Sequence, residues 1–207
     1  ALAEERPTSH ECWNNLGNCL MELGRYDQSL DAYRRVLQIK PEFYPAHNNI
    51  GNVYRRLGRL EEALVEFDRA LAGNPDFVEG HNNRGVVLME LGRGAEAIAV
   101  FDRALEIRPN YADPLVNQAN YWRDHGRLTK SVDLLRRALS IKANSPWTWN
   151  NLGCVLSDLG MVGDAIACYA KSIEVMPDNH HAHSNLLLNM HYLPQFSPEQ
   201  IFQEHRR

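Results

Sequence analysis

The sequence predicts an all-α protein built as a solenoid of antiparallel helix pairs, and three observations predict it. Displacing the 207-residue chain by 34 residues superposes it on itself, the mark of a stacked array of short helical units. With Cys12 taken as the third position of a unit, the eighth position reads Gly17, Gly51, Gly85, Ala119 and Gly153, and the fifteenth reads Gly24, Gly58, Gly92, Gly126 and Gly160. The thirty-second position reads Pro41, Pro75, Pro109, Ala143 and Pro177, which puts a helix breaker at the close of four units out of five.

Each unit then reads as two helices. The fifteenth-position glycine falls just past the first helix, where a left-handed cap forms most easily without a Cβ. The turns are Gly24-Arg25-Tyr26, Gly58-Arg59-Leu60 and Gly92-Arg93-Gly94. Glycine within a helix costs about 1 kcal/mol relative to alanine, so its recurrence at the eighth position implies close approach between the paired helices. The twentieth position is small (Ser29, Ala63, Ala97, Ser131, Ala165) and the twenty-fourth large (Tyr33, Phe67, Phe101, Leu135, Tyr169), so small faces large across each unit. These residues together resemble the tetratricopeptide repeat, which implies a right-handed superhelical solenoid.

Five full units are expected at 10–43, 44–77, 78–111, 112–145 and 146–179, and residues 180–193 read as the first helix of a sixth. Residues 1–9 resemble the tail of a preceding unit or an N-terminal arm, since Pro7 precedes Trp13 by the interval that separates Pro41 from His47. The sixth unit has Leu187 in the glycine slot and leaves phase at Tyr192-Leu193-Pro194. Ser197-Pro198-Glu199-Gln200 then supplies an N-cap, a first-position proline and a capping-box glutamine, so 194–207 is expected to be a linker and the start of a non-repeat helix.

Composition narrows the function. The chain has 22 basic and 26 acidic residues and a net charge of −4, without the basic stripe of a nucleic-acid binder. No apolar run approaches the roughly 18 residues of a membrane span. Cys12, Cys19, Cys154 and Cys168 lack CxxC spacing and are too few for a disulfide framework. Reduced thiols and the polar start ALAEERPTSH point to a cytoplasmic protein without a secretory signal. Protein or peptide partners are expected, not nucleic acid or membrane.

In a stacked array the first helices line the inside of the superhelix, so ligand contacts should come from their exposed positions. The sixth position is asparagine in every unit: Asn15, Asn49, Asn83, Asn117, Asn151 and Asn185. The ninth adds Asn18, Asn52 and Asn120, and the fifth adds Asn14, Asn48, Asn82 and Asn150. Neighbouring helices pack about 8–10 Å apart and an extended chain advances about 3.3 Å per residue, so one asparagine would meet a bound peptide roughly every third residue. A primary amide both donates and accepts, and can clasp a peptide's C=O and N–H without reading its side chain. The competing role for the same residues is to tie adjacent helices together.

Other chemistries are weaker. Tetratricopeptide domains that capture a C-terminal carboxylate resemble one another in having lysine at the fifth position, which here holds Asn14, Asn48, Asn82, Val116, Asn150 and Ser184. Arg55, Arg56 and Arg123, set against acids such as Glu22, Glu90, Asp124 and Asp158, read as a solvated rim. The histidines of 180–183 and His191 invite a metal reading, but His183 stands at the fourth position with His47, His81, Trp13 and Trp149, where packing explains it. His180 and His181 would point to different sides of a helix start. Gly92-Arg93-Gly94 coincides with an inter-helix turn and lacks a preceding strand, so no phosphate loop is expected. No catalytic residue, metal or cofactor is assigned.

The segment from Ser184 through Leu193, followed by Phe196-Ser197-Pro198-Glu199-Gln200-Ile201-Phe202, resembles the junction between repeats and catalytic region in bacterial relatives of the protein O-GlcNAc transferases. That resemblance implies an asparagine ladder holding extended acceptor proteins. It also implies a downstream nucleotide-sugar domain using UDP-N-acetylglucosamine, which lies outside these residues. The expectation is therefore a non-enzymatic chain that binds extended polypeptides, the acceptor-recognition part of such a transferase-like protein. The alternative is a stand-alone scaffold for multiprotein assembly, associating with itself through its outer face or its array ends.

Overall fold

The computed structural model describes residues 9–193 together with 196, 197 and 199. The expectations for an arm at 1–9 and a non-repeat helix within 194–207 fall almost wholly outside these residues. The described residues form eleven α-helices and no strand, and the chain divides into two compact units, residues 1–109 and 110–207.

The first unit holds α1 (His10–Glu22), α2 (Tyr26–Ile39), α3 (Tyr44–Arg56), α4 (Leu60–Gly73), α5 (Val78–Glu90) and α6 (Gly94–Ile107). Consecutive helices pack as antiparallel neighbours, and α3 also touches α1 and α5. The second holds α7 (Ala112–Asp124), α8 (Leu128–Ile141), α9 (Pro146–Asp158), α10 (Val162–Val175) and α11 (His180–Met190), with α9 touching α7 and α11 in the same way.

The turn glycines do what their phase anticipates. Gly24, Gly58, Gly92, Gly126 and Gly160 all have φ between 69° and 75°, whereas no other residue type takes a positive φ among the described residues. At the first turn the N–H of Arg25 donates to the Leu20 carbonyl at 2.8 Å and that of Gly24 to Met21 at 3.0 Å, the double bond of a Schellman cap. The second helix begins at once, with no side-chain cap, because the preceding turn already fixes its direction.

Close approach explains the eighth-position glycines. A Cβ on Gly51 would lie 2.8 Å from the Phe67 ring, and one on Gly153 would lie 2.6 Å from the Tyr169 ring. These rings are fully buried, each contributing about 1.5–3 kcal/mol of burial. In the fourth pair the glycine is Ala119 and the ring is Leu135, both fully buried: the larger first-helix residue is matched by a smaller partner. The twentieth-position serines add a polar lock, since Ser29 Oγ donates to the Gly17 carbonyl and Ser131 Oγ to the Ala119 carbonyl, both at 2.8 Å.

Candidate functional site

Asparagines are placed by the periodicity of the first helices. Successive residues on a helix are turned by about 100°, so positions two, six, nine and thirteen share one face and position five looks toward a flank. Asn15 is exposed on α1; Asn49, Asn83, Asn117, Asn151 and Asn185 are half-buried on α3, α5, α7, α9 and α11. Asn18 and Asn52 are half-buried and Asn120 is exposed.

Within each unit these amides bond to one another across helices. Asn49 Nδ2 donates to Asn14 Oδ1 at 3.0 Å and more weakly to Asn18 Oδ1 at 3.4 Å. Asn83 Nδ2 donates to Asn48 Oδ1 at 3.0 Å. In the second unit Asn185 Nδ2 donates to Asn150 Oδ1 at 3.1 Å and approaches Cys154 Sγ at 3.5 Å, while Asn151 Nδ2 donates to Asn120 Oδ1 at 3.2 Å. Within each unit the sixth-position amide thus sits over the fifth and ninth positions of the preceding first helix. Where the fifth position is an amide, it accepts; where it is Val116, the bond moves to Asn120.

The fifth-position asparagines therefore differ from the sequence expectation of a ligand-facing lining. Asn48, Asn82 and Asn150 are only 7%, 8% and 8% exposed. Asn48 and Asn150 act as acceptors in the seam between first helices, because position five points along the flank where the next first helix docks. Asn18 is likewise engaged from below, accepting from Tyr33 Oη at 2.6 Å. Burial pushes the Tyr33 hydroxyl up to about 12.

The ladder amides retain capacity. Asn83 and Asn151 each spend one N–H on the seam; their carboxamide oxygen and second N–H have no partner among the described residues. Both are half-buried, held in fixed rotation by a neighbouring helix. A carboxamide held in this way would lose little freedom on forming a further hydrogen bond.

Charges follow the same register. Arg55 Nε donates to Glu90 Oε1 at 2.8 Å, and Arg123 Nε to Asp158 Oδ2 at 2.6 Å, each joining first helices of consecutive pairs. Asp158 raises the Arg123 guanidinium above its ordinary value. These arginines are committed to the fold.

Fourth-position rings have a use that residue type alone does not disclose. His81 Nε2 lies 2.8 Å from the Pro75 carbonyl, His183 Nε2 2.9 Å from that of Pro177, and Trp149 Nε1 donates to that of Ala143 at 2.8 Å. Each ring caps the loop six residues earlier. His47 instead places Nδ1 2.7 Å from Glu66 Oε2 on α4. The shared feature is an N–H at one height on the helix, which histidine and tryptophan both supply.

Two units of paired helices, with carboxamides repeated along the first helices, define the class as a helix-pair repeat protein. Tetratricopeptide repeat models match residues 10–43, 48–112 and 148–179, more than half of the chain between them. The chain belongs to the tetratricopeptide repeat proteins. A thermophilic repeat protein of Thermus thermophilus is similar over 88% of this chain and 99% of its own, at 23% identity and TM-score 0.75. PilW, a widely conserved type IV pilus biogenesis factor, is similar over 95% and 90%, at 23% and 0.80. YrrB, a repeat protein with an unusual peptide-binding site, is similar over 92% and 95%, at 20% and 0.61. At these identities the likeness is one of fold. The curated proteins give no match. Among the described residues no helix is long and apolar enough to cross a membrane.

Proposed function

We propose that this chain is a protein–protein interaction module whose first-helix faces bind extended polypeptide segments, with Asn15, Asn49 and Asn83 serving the first unit and Asn117, Asn151 and Asn185 the second. Asn18, Asn52 and Asn120 border the same faces. The observation that carries the reading is that Asn83 and Asn151 are fixed by the seam yet keep an amide oxygen and an N–H for a ligand. A main chain alternates C=O and N–H, and the paired donor and acceptor of a carboxamide match it without regard to side chains. The peptide-binding site of YrrB, a protein of the same fold, is in keeping with this use.

The test replaces Asn83 and Asn151 by alanine, separately and together, and measures both affinity for an extended polypeptide and stability. Each replacement should weaken binding about three- to tenfold, as for one lost hydrogen bond, and the pair should multiply. Unchanged affinity in the double variant would place binding elsewhere.

A finer reading makes the bound polypeptides acceptors for a glycosyl-transferring parent protein in the cytoplasm. Its support is the resemblance of 184–207 to a repeat-to-catalytic junction. Incorporation of N-acetylglucosamine from its UDP donor into protein by the intact gene product tests it, and a gene product without transfer activity would leave a scaffold.

A further inference from the structure

One helical turn before each ladder amide, the second unit carries side chains unlike the neutral ladder. The second position of its first helices holds Asp113 on α7, Trp147 on α9 and His181 on α11, all exposed. The bonds Asn151 to Asn120 and Arg123 to Asp158 align α7 with α9 at offsets of 31 and 35 residues, so Asp113 and Trp147, 34 apart, stand at one level. Trp147 and His181, also 34 apart, are in contact, their ring centroids 6.1 Å apart and their planes inclined by 56°. Asp113, Trp147 and His181 thus occupy equivalent places on three first helices of this unit, about 5–6 Å along the helix axis from the ladder amides.

Trp147 is 53% exposed. Two residues on, Trp149 shows how a tryptophan serves the fold here: it packs against the core and its N–H caps a loop. Trp147 does neither: its indole is exposed, and Asp113 stands at the equivalent place on the neighbouring first helix. Asp113 takes part in no ion pair among the described residues, whereas Asp158 at the far end of the same face is neutralised by Arg123. An exposed aromatic ring on one first helix and, at the same level of the next, a carboxylate outside any ion pair among the described residues together offer a seat for a cation. A planar guanidinium suits it better than an ammonium, because it stacks on the ring while its edge pairs with the carboxylate.

We propose that the unit of residues 110–207 selects polypeptide segments that carry an arginine side chain, seated on the Trp147 indole with its charge toward Asp113. This rests on the polypeptide-binding reading above and adds selectivity to it: the amides hold the main chain, and the row of second-position side chains reads one residue.

The experiment uses the whole chain and two fluorescein-labelled peptides of about eight residues, long enough to cross three first helices. Both have a neutral Ser/Gln/Ala background; one has a central arginine, the other its uncharged isostere citrulline. By fluorescence anisotropy the arginine peptide should bind about three- to tenfold more tightly. Asp113→Asn and Trp147→Leu, both at exposed positions, should each bring it to the citrulline level and leave the citrulline peptide unchanged. Equal binding of the two peptides overturns the arginine site and leaves the ladder reading standing, since both still bind. A preference that survives both substitutions also overturns it. Failure of both peptides to bind overturns the two readings together.

Discussion

Gly51→Ala should be destabilising alone and stabilising in the company of Phe67→Leu. An alanine Cβ at position 51 would meet three Phe67 ring carbons at 2.8, 2.9 and 3.0 Å, well inside the roughly 3.5–4.0 Å of comfortable carbon contact. The ring is fully buried and has nowhere to retreat, so overpacking should cost about 1–3 kcal/mol. Against this, alanine gains about 1 kcal/mol of helix propensity over glycine, leaving a net loss of up to about 2 kcal/mol. Phe67→Leu alone opens space and should cost about 1–2 kcal/mol. The two together rebuild the pair that Ala119 and Leu135 already form, both fully buried. There the methyl fills space left by the ring and the propensity gain is realised, so the double variant should be more stable than Phe67→Leu. Urea denaturation followed by circular dichroism on the four proteins gives the coupling, expected at about 1–3 kcal/mol. If alanine at position 51 costs the same in both backgrounds to within about 0.5 kcal/mol, the close-approach argument fails.

Asn120→Ala should weaken the α7–α9 seam by about 0.5–1.5 kcal/mol, because Val116 offers Asn151 no replacement acceptor, whereas Asn14→Ala should cost less because Asn49 can turn to Asn18; equal losses in denaturation would refute this ordering. Gly58→Ala, at φ 73° with open space around it, should cost about 1–2 kcal/mol through backbone strain alone, and a thermal midpoint unchanged from the parent would contradict that. The Tyr33 hydroxyl, at about 12 in the fold against an ordinary 10, and the Cys168 thiol, at about 11 against 9, are both raised by burial. Their stabilising contribution is complete below about pH 9 and is lost as the pH rises through 9 to 12, so denaturation midpoints should fall across that window and less steeply in Tyr33→Phe. A midpoint flat from pH 9 to 12 would sink this assignment.

The architecture was legible because its turns and its helix pairing depend on residue types that backbone conformation and space restrict. Gly24 and its four counterparts need positive φ, and Gly51 and Gly153 leave room for a ring, so these positions declare the turns and the helix pairing directly. The amide ladder was legible as a pattern but not as a set of bonds. Its pairing at offsets of 35 and 31 residues follows from how far one first helix slides past the next, which no local signal encodes. Hence Asn48 and Asn150 read as lining when they are seam acceptors. Val116 was the available clue: an apolar residue at one fifth position is tolerable only if its neighbour Asn120 can accept in its place. The loop-capping role of His81, His183 and Trp149 was not legible because residue type suggested packing, whereas the common element is a ring N–H six residues after a loop carbonyl.

The most direct test of the central claim is to watch the carboxamides themselves. Side-chain N–H₂ resonances of Asn83 and Asn151, assigned through their alanine variants, can be followed by two-dimensional NMR as an extended peptide is added. Both pairs should shift with the peptide's own saturation curve. Saturable binding with those resonances unmoved, and the changes gathered on the second helices instead, would contradict it.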